Sequence, residues 1–155
     1  TTATTTVTFT IPSKYFGIEC RISGRTTTGG YYTSPVDLSV NGSAITGIQY
    51  RTMRNYPAGT FNGYNGTSPA LINIGGTSCT TAAAYFRIYG LQASMNKCIE
   101  SFNYPEANVA GGDSFTLGLG AVFSSSGPIT SISLTPSSGY GNFESGTRFD
   151  LYGMQ

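Results

Sequence analysis

The chain has 155 residues, the length expected of one domain. Only 10% of its residues are charged, 8 Lys and Arg against 7 Asp and Glu, which leaves a net charge of +1. Binding to nucleic acids or to anionic membranes depends on clustered basic side chains, so this composition predicts neither a nucleic-acid nor a membrane partner.

The N-terminal segment is rich in Thr and low in charge. Residues 1–6 are Thr and Ala, and they lead into Val7, Phe9 and Ile11, which share one face of an extended strand. We expect residues 1–11 to form an extended arm or first strand and residues 12–155 to form a single domain. An arm of this kind adds a strand to an exposed sheet edge of a neighbouring subunit, with Thr5, Val7 and Phe9 as candidate interface residues. The alternative is a frayed terminus.

Alternation of apolar and polar residues with a period of two then recurs along the chain, as in strands with one wet face. It covers residues 16–23 and 36–40, and Asn41-Gly42 follows as a tight-turn dipeptide. Further strands are predicted over residues 45–53, 85–91, 97–103 and 114–123. In the last of these, one face is expected to carry Phe115, Leu117, Leu119, Ala121 and Phe123. The nearest helix candidate, residues 79–85, is short and rich in Thr.

Residues 55–83 interrupt this pattern with Asn-Gly pairs, Gly75-Gly76 and two prolines. They predict a long loop with one short strand around residues 71–74, and loops of this length are often functional. Tyr, Met and Arg, the types enriched at protein interfaces, concentrate there and in the preceding strand. The candidate interface residues are Arg51, Met53, Arg54, Tyr56, Phe61 and Tyr64, with Tyr31 and Tyr32 as a smaller group. Packing beneath the loop is the alternative, and tyrosines in such loops are also suited to stacking on sugars.

Two alternating segments, residues 129–134 and 143–153, are joined by a Pro/Ser/Gly turn near the end of the sequence. By the same alternation Phe149 and Leu151 are core residues, and Gly146 is a turn position. We expect no further domain after this closing strand. The segments bring the count to about eight strands, which predicts an all-β fold, a single antiparallel jelly-roll-like β-sandwich.

No catalytic set is predicted. The sequence has no His, so the commonest base that activates a Ser or Cys nucleophile is missing. Glu19, Glu100 and Asp150 occupy outward strand positions and are expected to be solvated single charges. Glu100 and Glu106 flank a predicted turn, and only this pair is left as a candidate for two facing carboxylates. We predict no enzymatic activity, no cofactor and no metal site.

The three cysteines, Cys20, Cys79 and Cys98, are widely spaced. We expect them to be small buried hydrophobic residues. The alternative is one disulfide with one free thiol.

The closing segments also resemble a group of tailed-bacteriophage virion proteins, whose chains end in a pattern like I-T-S-I-x-L-x-P…F-x-x-G-[ST]-x-F-x-L-Y-G. The resemblance covers residues 118–153 and is fainter over residues 38–50, where L-S-V-N-G is similar to the L-x-x-N-G stretch of the group. It is carried by Phe143, Gly146, Phe149, Leu151, Tyr152 and Gly153. Members are β-sandwich components of phages, among them capsid decoration (cement) proteins and domains of tail tips and fibres.

This resemblance implies a virion structural protein on the outer surface of the head. We expect a homotrimeric decoration protein that binds the major capsid protein and stabilises the shell by bridging neighbouring subunits. The alternative is a receptor-binding module of a tail tip or fibre that recognises a host glycan.

Overall fold

A computed structural model describes residues 3–28, 33–45, 49–55, 61–66, 72–77, 79–94, 96–107, 115–123 and 127–155. At 33, 49–55, 61–66, 80–81, 105–107 and 115–123 it describes the backbone alone. These residues form twelve strands and, within the described ranges, no helix. The strands are β1 (Val7–Thr10), β2 (Gly17–Ser23), β3 (Thr33–Val40), β4 (Ser43–Ala44), β5 (Gln49–Asn55), β6 (Phe61–Gly66), β7 (Ile72–Gly75), β8 (Cys79–Tyr89), β9 (Lys97–Ala107), β10 (Phe115–Phe123), β11 (Ser131–Pro136) and β12 (Arg148–Met154).

The strands form two antiparallel sheets. The smaller, five-stranded sheet has the order β1-β11-β3-β4, and β7 also pairs with β3. The larger, seven-stranded sheet has the order β12-β2-β8-β9-β10-β5-β6. The chain crosses from one sheet to the other seven times, as expected of a jelly-roll-like sandwich, although β8, β9 and β10 form a consecutive meander.

One hydrophobic core lies between the two sheets. Strand β2 contributes Ile18, Cys20 and Ile22, all at most 1% exposed, and β11 contributes Ile132 and Leu134. The core residues of β2 and β11 alternate along the strand, because successive side chains of a strand point to opposite faces. The period-two pattern of the sequence therefore identifies these strands correctly.

The predicted all-β sandwich is confirmed. Nine of the twelve strands span six residues or more, close to the expected number, and β1, β4 and β7 are the short ones. Pro12 follows the end of β1, and Asn41-Gly42 forms the two-residue turn between β3 and β4 with both φ angles positive, 48° and 77°. Positive φ at both central residues is the type I′ requirement that Asn-Gly satisfies.

Several boundaries differ from the prediction. Residues 55–83 contain more than one short strand, since β6 and the beginning of β8 lie there in addition to β7. The Gly and Asn residues of β6 suggested a loop, but β6 is the edge strand beside β5, where weak strand formers are tolerated. Residues 79–85, the nearest helix candidate, belong to β8.

The two closing strands lie in different sheets. β11 pairs with β1 and β3 in the five-stranded sheet, whereas β12 pairs with β2 in the seven-stranded sheet. The connection between them carries Gly146 at φ +93°, which confirms a turn there, and the fully buried Phe143. Phe149 and Leu151 are half-buried and pack against the core, so the prediction of core residues holds in part.

A bulge interrupts the predicted single face of β10. Leu117 pairs with Phe102, an outward position of β9, whereas Ala121 pairs with the buried Ile99. The register shifts between Gly118 and Ala121. A β-bulge inserts one extra residue, which reverses the alternation after it. Leu117 and Ala121 therefore occupy rows of opposite faces, contrary to the sequence prediction.

Candidate functional site

The outer face of the larger sheet concentrates aromatic and charged side chains on β2, β8, β9 and β12. We call this surface the aromatic face and define it by Phe16, Glu19, Arg21, Tyr85, Arg87, Tyr89, Glu100, Phe102, Tyr104, Arg148, Asp150 and Tyr152. Phe16, Tyr104 and Tyr152 are the large hydrophobic side chains that are most exposed among the described residues, at 51%, 50% and 47%. Large exposed apolar side chains that cluster on one surface indicate a binding site.

Register explains why this face has a depression. One row across the four strands reads Arg148, Ser23, Ala83 and Tyr104, with two small residues between two large ones. The next row reads Asp150, Arg21, Tyr85 and Phe102. The result is a shallow depression of about 550 Å³ with small side chains at its floor and Tyr152 on its wall.

The aromatic rings and guanidinium groups pack on one another. Tyr85 and Phe102 stack with ring centroids 5.7 Å apart and an interplanar angle of 26°. The guanidinium of Arg21 lies 5.0 Å from the ring centroid of Tyr152, and that of Arg87 lies 5.5 Å from Tyr85. Such contacts fix the orientation of both partners, so the rings form a preorganised surface.

A chain of ion pairs crosses the same face. Glu19 accepts hydrogen bonds of 2.6 Å from Nε of Arg21 and 2.6 Å from Nε of Arg87. Arg87 also donates from Nη1 to Glu100 over 3.0 Å, and the hydroxyl of Tyr89 donates to Glu100 over 2.8 Å. Five side chains on three strands are thus linked, with the two carboxylates holding Arg21, Arg87 and Tyr89.

The expectation of solvated single charges is wrong for Glu19. Its side chain is buried, at 8% residue exposure, and two arginines neutralise it. The hydrogen bond from Arg87 is the main cause that lowers the pKa of Glu19 below its ordinary value, and the bond from Arg21 adds to it. Burial followed by the bond to Glu100 raises the pKa of Tyr89. Glu100 and Asp150 are also paired, with Arg87 and Arg148.

The predicted N-terminal interface residues lie on and before an edge strand. β1 pairs with β11, Val7 opposite Leu134 and Phe9 opposite Ile132, and both Val7 and Phe9 pack partly against the core of their own chain. Thr5 is exposed. The structure therefore favours a first strand over a frayed terminus from Val7 onward.

The outer edge of β1 carries backbone groups that β11 does not use. The amide of Ile11 donates to the carbonyl of Thr130 over 2.8 Å, and hydrogen-bonded positions alternate along an antiparallel pair. The backbone amide and carbonyl groups of Thr8 and Thr10 consequently lie on the side away from β11. No strand among the described residues pairs with that side.

The remaining predicted interface residues divide into two groups. Tyr31, Tyr32 and Tyr56 lie outside the described residues. The others are on β5 and β6, where only the backbone is described: Arg51, Met53, Arg54, Phe61 and Tyr64.

Register connects part of this second group to the aromatic face. Met53 pairs with Leu117, which pairs with Phe102 of the aromatic face. Arg54 pairs with Thr116, which pairs with the buried Asn103. Met53 and Arg54, neighbours on β5, thus belong to different cross-strand rows of the sheet. The predicted interface residues of β5 therefore do not form a single row.

The candidate carboxylate pair is not brought together. Glu100 and Glu106 both lie on β9 with no turn between them, six residues apart, which corresponds to about 20 Å at the rise of a strand. Among the described residues no group of three or more His, Cys, Asp and Glu residues is arranged to hold a metal ion. In the same part of the chain no helix is long and apolar enough to cross a membrane.

None of the three cysteines forms a disulfide. Cys20 and Cys79 are buried, as predicted, and burial raises the pKa of Cys20 to about 12. Cys98 is exposed, contrary to prediction, because it occupies an outward position of β9 opposite Tyr89. The alternative of one disulfide is not found.

A second, smaller cavity of about 330 Å³ lies beside an internal ion pair. Arg25 donates from Nε and Nη2 to the carboxylate of Glu144, and from Nη1 to the carbonyl of Cys79 over 3.0 Å. The amide of Glu144 in turn donates to the carbonyl of Arg25 over 2.8 Å. These bonds tie the β11–β12 connection to the segment after β2, which is a structural role.

The aromatic face was missed as a site by sequence analysis, although outward positions were predicted for Glu19, Glu100 and Asp150. A signal was present, since Tyr85, Phe102, Tyr104 and Tyr152 are large aromatic residues at non-core strand positions. The chain matches no family model, no curated protein and no solved structure.

Proposed function

We propose that this chain is a structural protein of a phage virion that decorates the outer surface of the head. The observation that carries the proposal is the unpaired outer edge of β1, where the backbone groups of Thr8 and Thr10 are available to a further strand. The similarity of residues 118–153 to phage virion proteins supplies the setting. In this proposal β1 adds to a strand of the major capsid protein or of a second copy of the chain.

The edge lacks the charges and prolines that protect many natural sheet edges from pairing. Residues 3–11 contain no charge and no proline. In contrast, β12, an edge strand of the larger sheet, carries Arg148 and Asp150. Unprotected edges pair readily with other strands. Main-chain hydrogen bonds then supply affinity, and Val7 and Phe9, each only half-buried, supply apolar surface.

Attachment through this edge stabilises a shell by multivalency. A homotrimer presents three edges, so that several weak contacts act together with an effective concentration set by the spacing of the subunits. A protein bound in this way bridges neighbouring subunits of the major capsid protein. No cofactor, metal or chemical step enters the proposal.

Cosedimentation with expanded, DNA-free shells of the encoding phage tests the proposal. Thr8→Pro removes the amide on the free edge and leaves the bonds to β11 in place, since that amide faces away from β11. The matched control, Thr8→Ala, keeps the amide and removes the γ-methyl group and the hydroxyl that lies 2.9 Å from Ser133 Oγ. We expect Thr8→Pro to weaken shell binding at least about tenfold and Thr8→Ala to bind like the parent chain.

Two results would contradict the proposal. Equal binding by both variants, with cooperative unfolding preserved, would show that the β1 edge is not the attachment. A parent protein that does not bind shells, and that immunogold labelling locates on tails alone, would overturn the head location.

The aromatic face favours a second candidate, a receptor-binding module at a tail tip or fibre. Such a module needs an exposed recognition surface, and the depression beside Tyr104 and Tyr152 provides one. Immunogold labelling of whole particles separates the two candidates, because a tail module labels tails and a decoration protein labels heads.

A further inference from the structure

We infer that the depression on the aromatic face is a binding site for a neutral pyranose saccharide. The inference goes beyond shell attachment and does not depend on it, because β1 belongs to the five-stranded sheet and the depression to the outer face of the other sheet.

The size and shape of the depression fit a sugar. Its volume of about 550 Å³ lies within the range of small-molecule sites, and its floor is made low by Ser23 and Ala83. Tyr104 and Arg148 stand at opposite ends of that row. A ring laid over the two small residues is therefore bounded on both sides.

The aromatic rings supply the apolar contact. The C–H groups on one side of a pyranose ring form a flat apolar patch, which gains dispersion contacts when it lies on an aromatic ring. Tyr85 and Phe102 are already stacked on each other, so their rings are held in place before a ligand arrives. Tyr104 and Tyr152, each about half exposed, offer further ring surface and a hydroxyl.

The charged residues of the depression supply polar contacts. Arg148 donates to Asp150 from Nε over 3.0 Å, and the bond from Arg21 to Glu19 is also made by Nε. The Nη groups of both arginines remain as donors at side chains that are 63% and 73% exposed. Guanidinium donors beside a carboxylate acceptor match the adjacent hydroxyl groups of a sugar, each of which both donates and accepts.

Charge balance selects a neutral ligand over an acidic one. The aromatic face carries Arg21, Arg87 and Arg148 against Glu19, Glu100 and Asp150, and these groups pair with one another. A face without net charge exerts little long-range attraction on an anionic polymer. Recognition then depends on ring stacking and on short hydrogen bonds.

Titration of the full-length protein on a glycan array, followed by calorimetry with the best neutral glycan, tests the inference. We expect Tyr104→Ala combined with Tyr152→Ala to weaken binding at least about tenfold, since each truncation removes a ring from the wall. Tyr140→Ala is the matched control, because Tyr140 is a partly exposed tyrosine in the connection between β11 and β12, outside the depression and the aromatic face, and it should bind like the parent.

Each other outcome overturns the inference. If the protein retains no neutral glycan, the depression is not a saccharide site. If the double variant binds as tightly as the parent chain, the ligand binds at another surface. Retention of acidic glycans alone, abolished by high salt, contradicts the proposed ligand class. None of these results affects shell binding by the β1 edge, so the two proposals fail separately.

Discussion

The carboxylate of Glu19 on β2 accepts a hydrogen bond of 2.6 Å from Nε of Arg87 on the neighbouring strand β8. The carboxylate is buried, so this bond is charge-assisted and poorly screened by water. Glu19 accepts a second bond, from Arg21. The outer face of the larger sheet is thus organised around one buried acid.

Replacement of Glu19 by Gln should lower the free energy of unfolding by about 1.5–3 kcal/mol at neutral pH, the range for hydrogen bonds to charged groups. The folded pKa of Glu19 lies below its ordinary value of 4.5, mainly because of the bond from Arg87. Its stabilisation is therefore fully present above the unfolded pKa and is lost as the pH falls through the folded pKa. Urea unfolding from about pH 7 down to pH 3 should show the difference between the two proteins shrinking below about pH 4.5. A difference that stays constant over this range would contradict the assignment.

The turn residue Asn41 should be intolerant of Ala. Its side chain accepts bonds from the amides of Thr130 and Ser131 and donates to the carbonyl of Pro128 over 2.8 Å, and its own φ is +48°. Asn41→Ala loses these bonds and strains the backbone, with an expected cost of about 2 kcal/mol. Asn41→Gly loses the same bonds but adopts positive φ freely, so it should cost less. Chemical denaturation of both variants measures the two contributions, and an equal cost for both would show that φ does not matter.

Gly153 should not accept a Cβ. An added Cβ would overlap the ring of Tyr15, far closer than van der Waals contact. We expect Gly153→Ala to lower the melting temperature, with a cost of about 1–3 kcal/mol from overpacking. The control is Gly127→Ala, where nothing lies within 4 Å of the added atom and little change is expected. Combination with Tyr15→Ala should recover part of the loss, and simple additivity of the two changes would contradict the clash.

Thiol labelling should distinguish Cys98 from the other two cysteines. Cys98 is exposed, while Cys20 and Cys79 are buried and the pKa of Cys20 is raised to about 12. A thiolate is the reacting species, so Ellman's reagent should modify Cys98 rapidly in the native protein and all three cysteines in denaturant. Mass spectrometry of the native product should locate the label on Cys98. Rapid native labelling of Cys20 would contradict its burial.

The sequence predicts the sandwich well, because apolar and polar residues alternate along strands that bury one face. Residues 16–23 alternate clearly, and β2 forms where expected. The prediction fails where tertiary pairing outweighs local preference, as in β6, whose Asn and Gly residues favour turns but pair with β5. The bulge in β10 likewise arises where β10 pairs with β9 and β5, and the local sequence pattern does not predict this pairing.

The aromatic face could not be assembled from the sequence because its members come from strands distant along the chain. Arg21, Tyr85 and Phe102 are neighbours only through the order of β2, β8 and β9 in the sheet. Alternation along a strand predicts that each of these side chains points outward, but it does not predict which of them are neighbours in the sheet. The same limit explains Glu19: alternation predicts a solvated charge, because it does not show the two arginine partners that neutralise this carboxylate.

Each sheet contains a pairing between strands that lie far apart in the sequence. Val7 lies opposite Leu134, and Cys20 lies opposite Leu151, each pair separated by more than a hundred residues. A nascent chain therefore holds unfinished sheets until residues 131–154 have emerged from the ribosome, and such non-local closure is slow. During that interval the uncharged residues 3–11 are available to other chains, so synthesis at high concentration favours early association between copies.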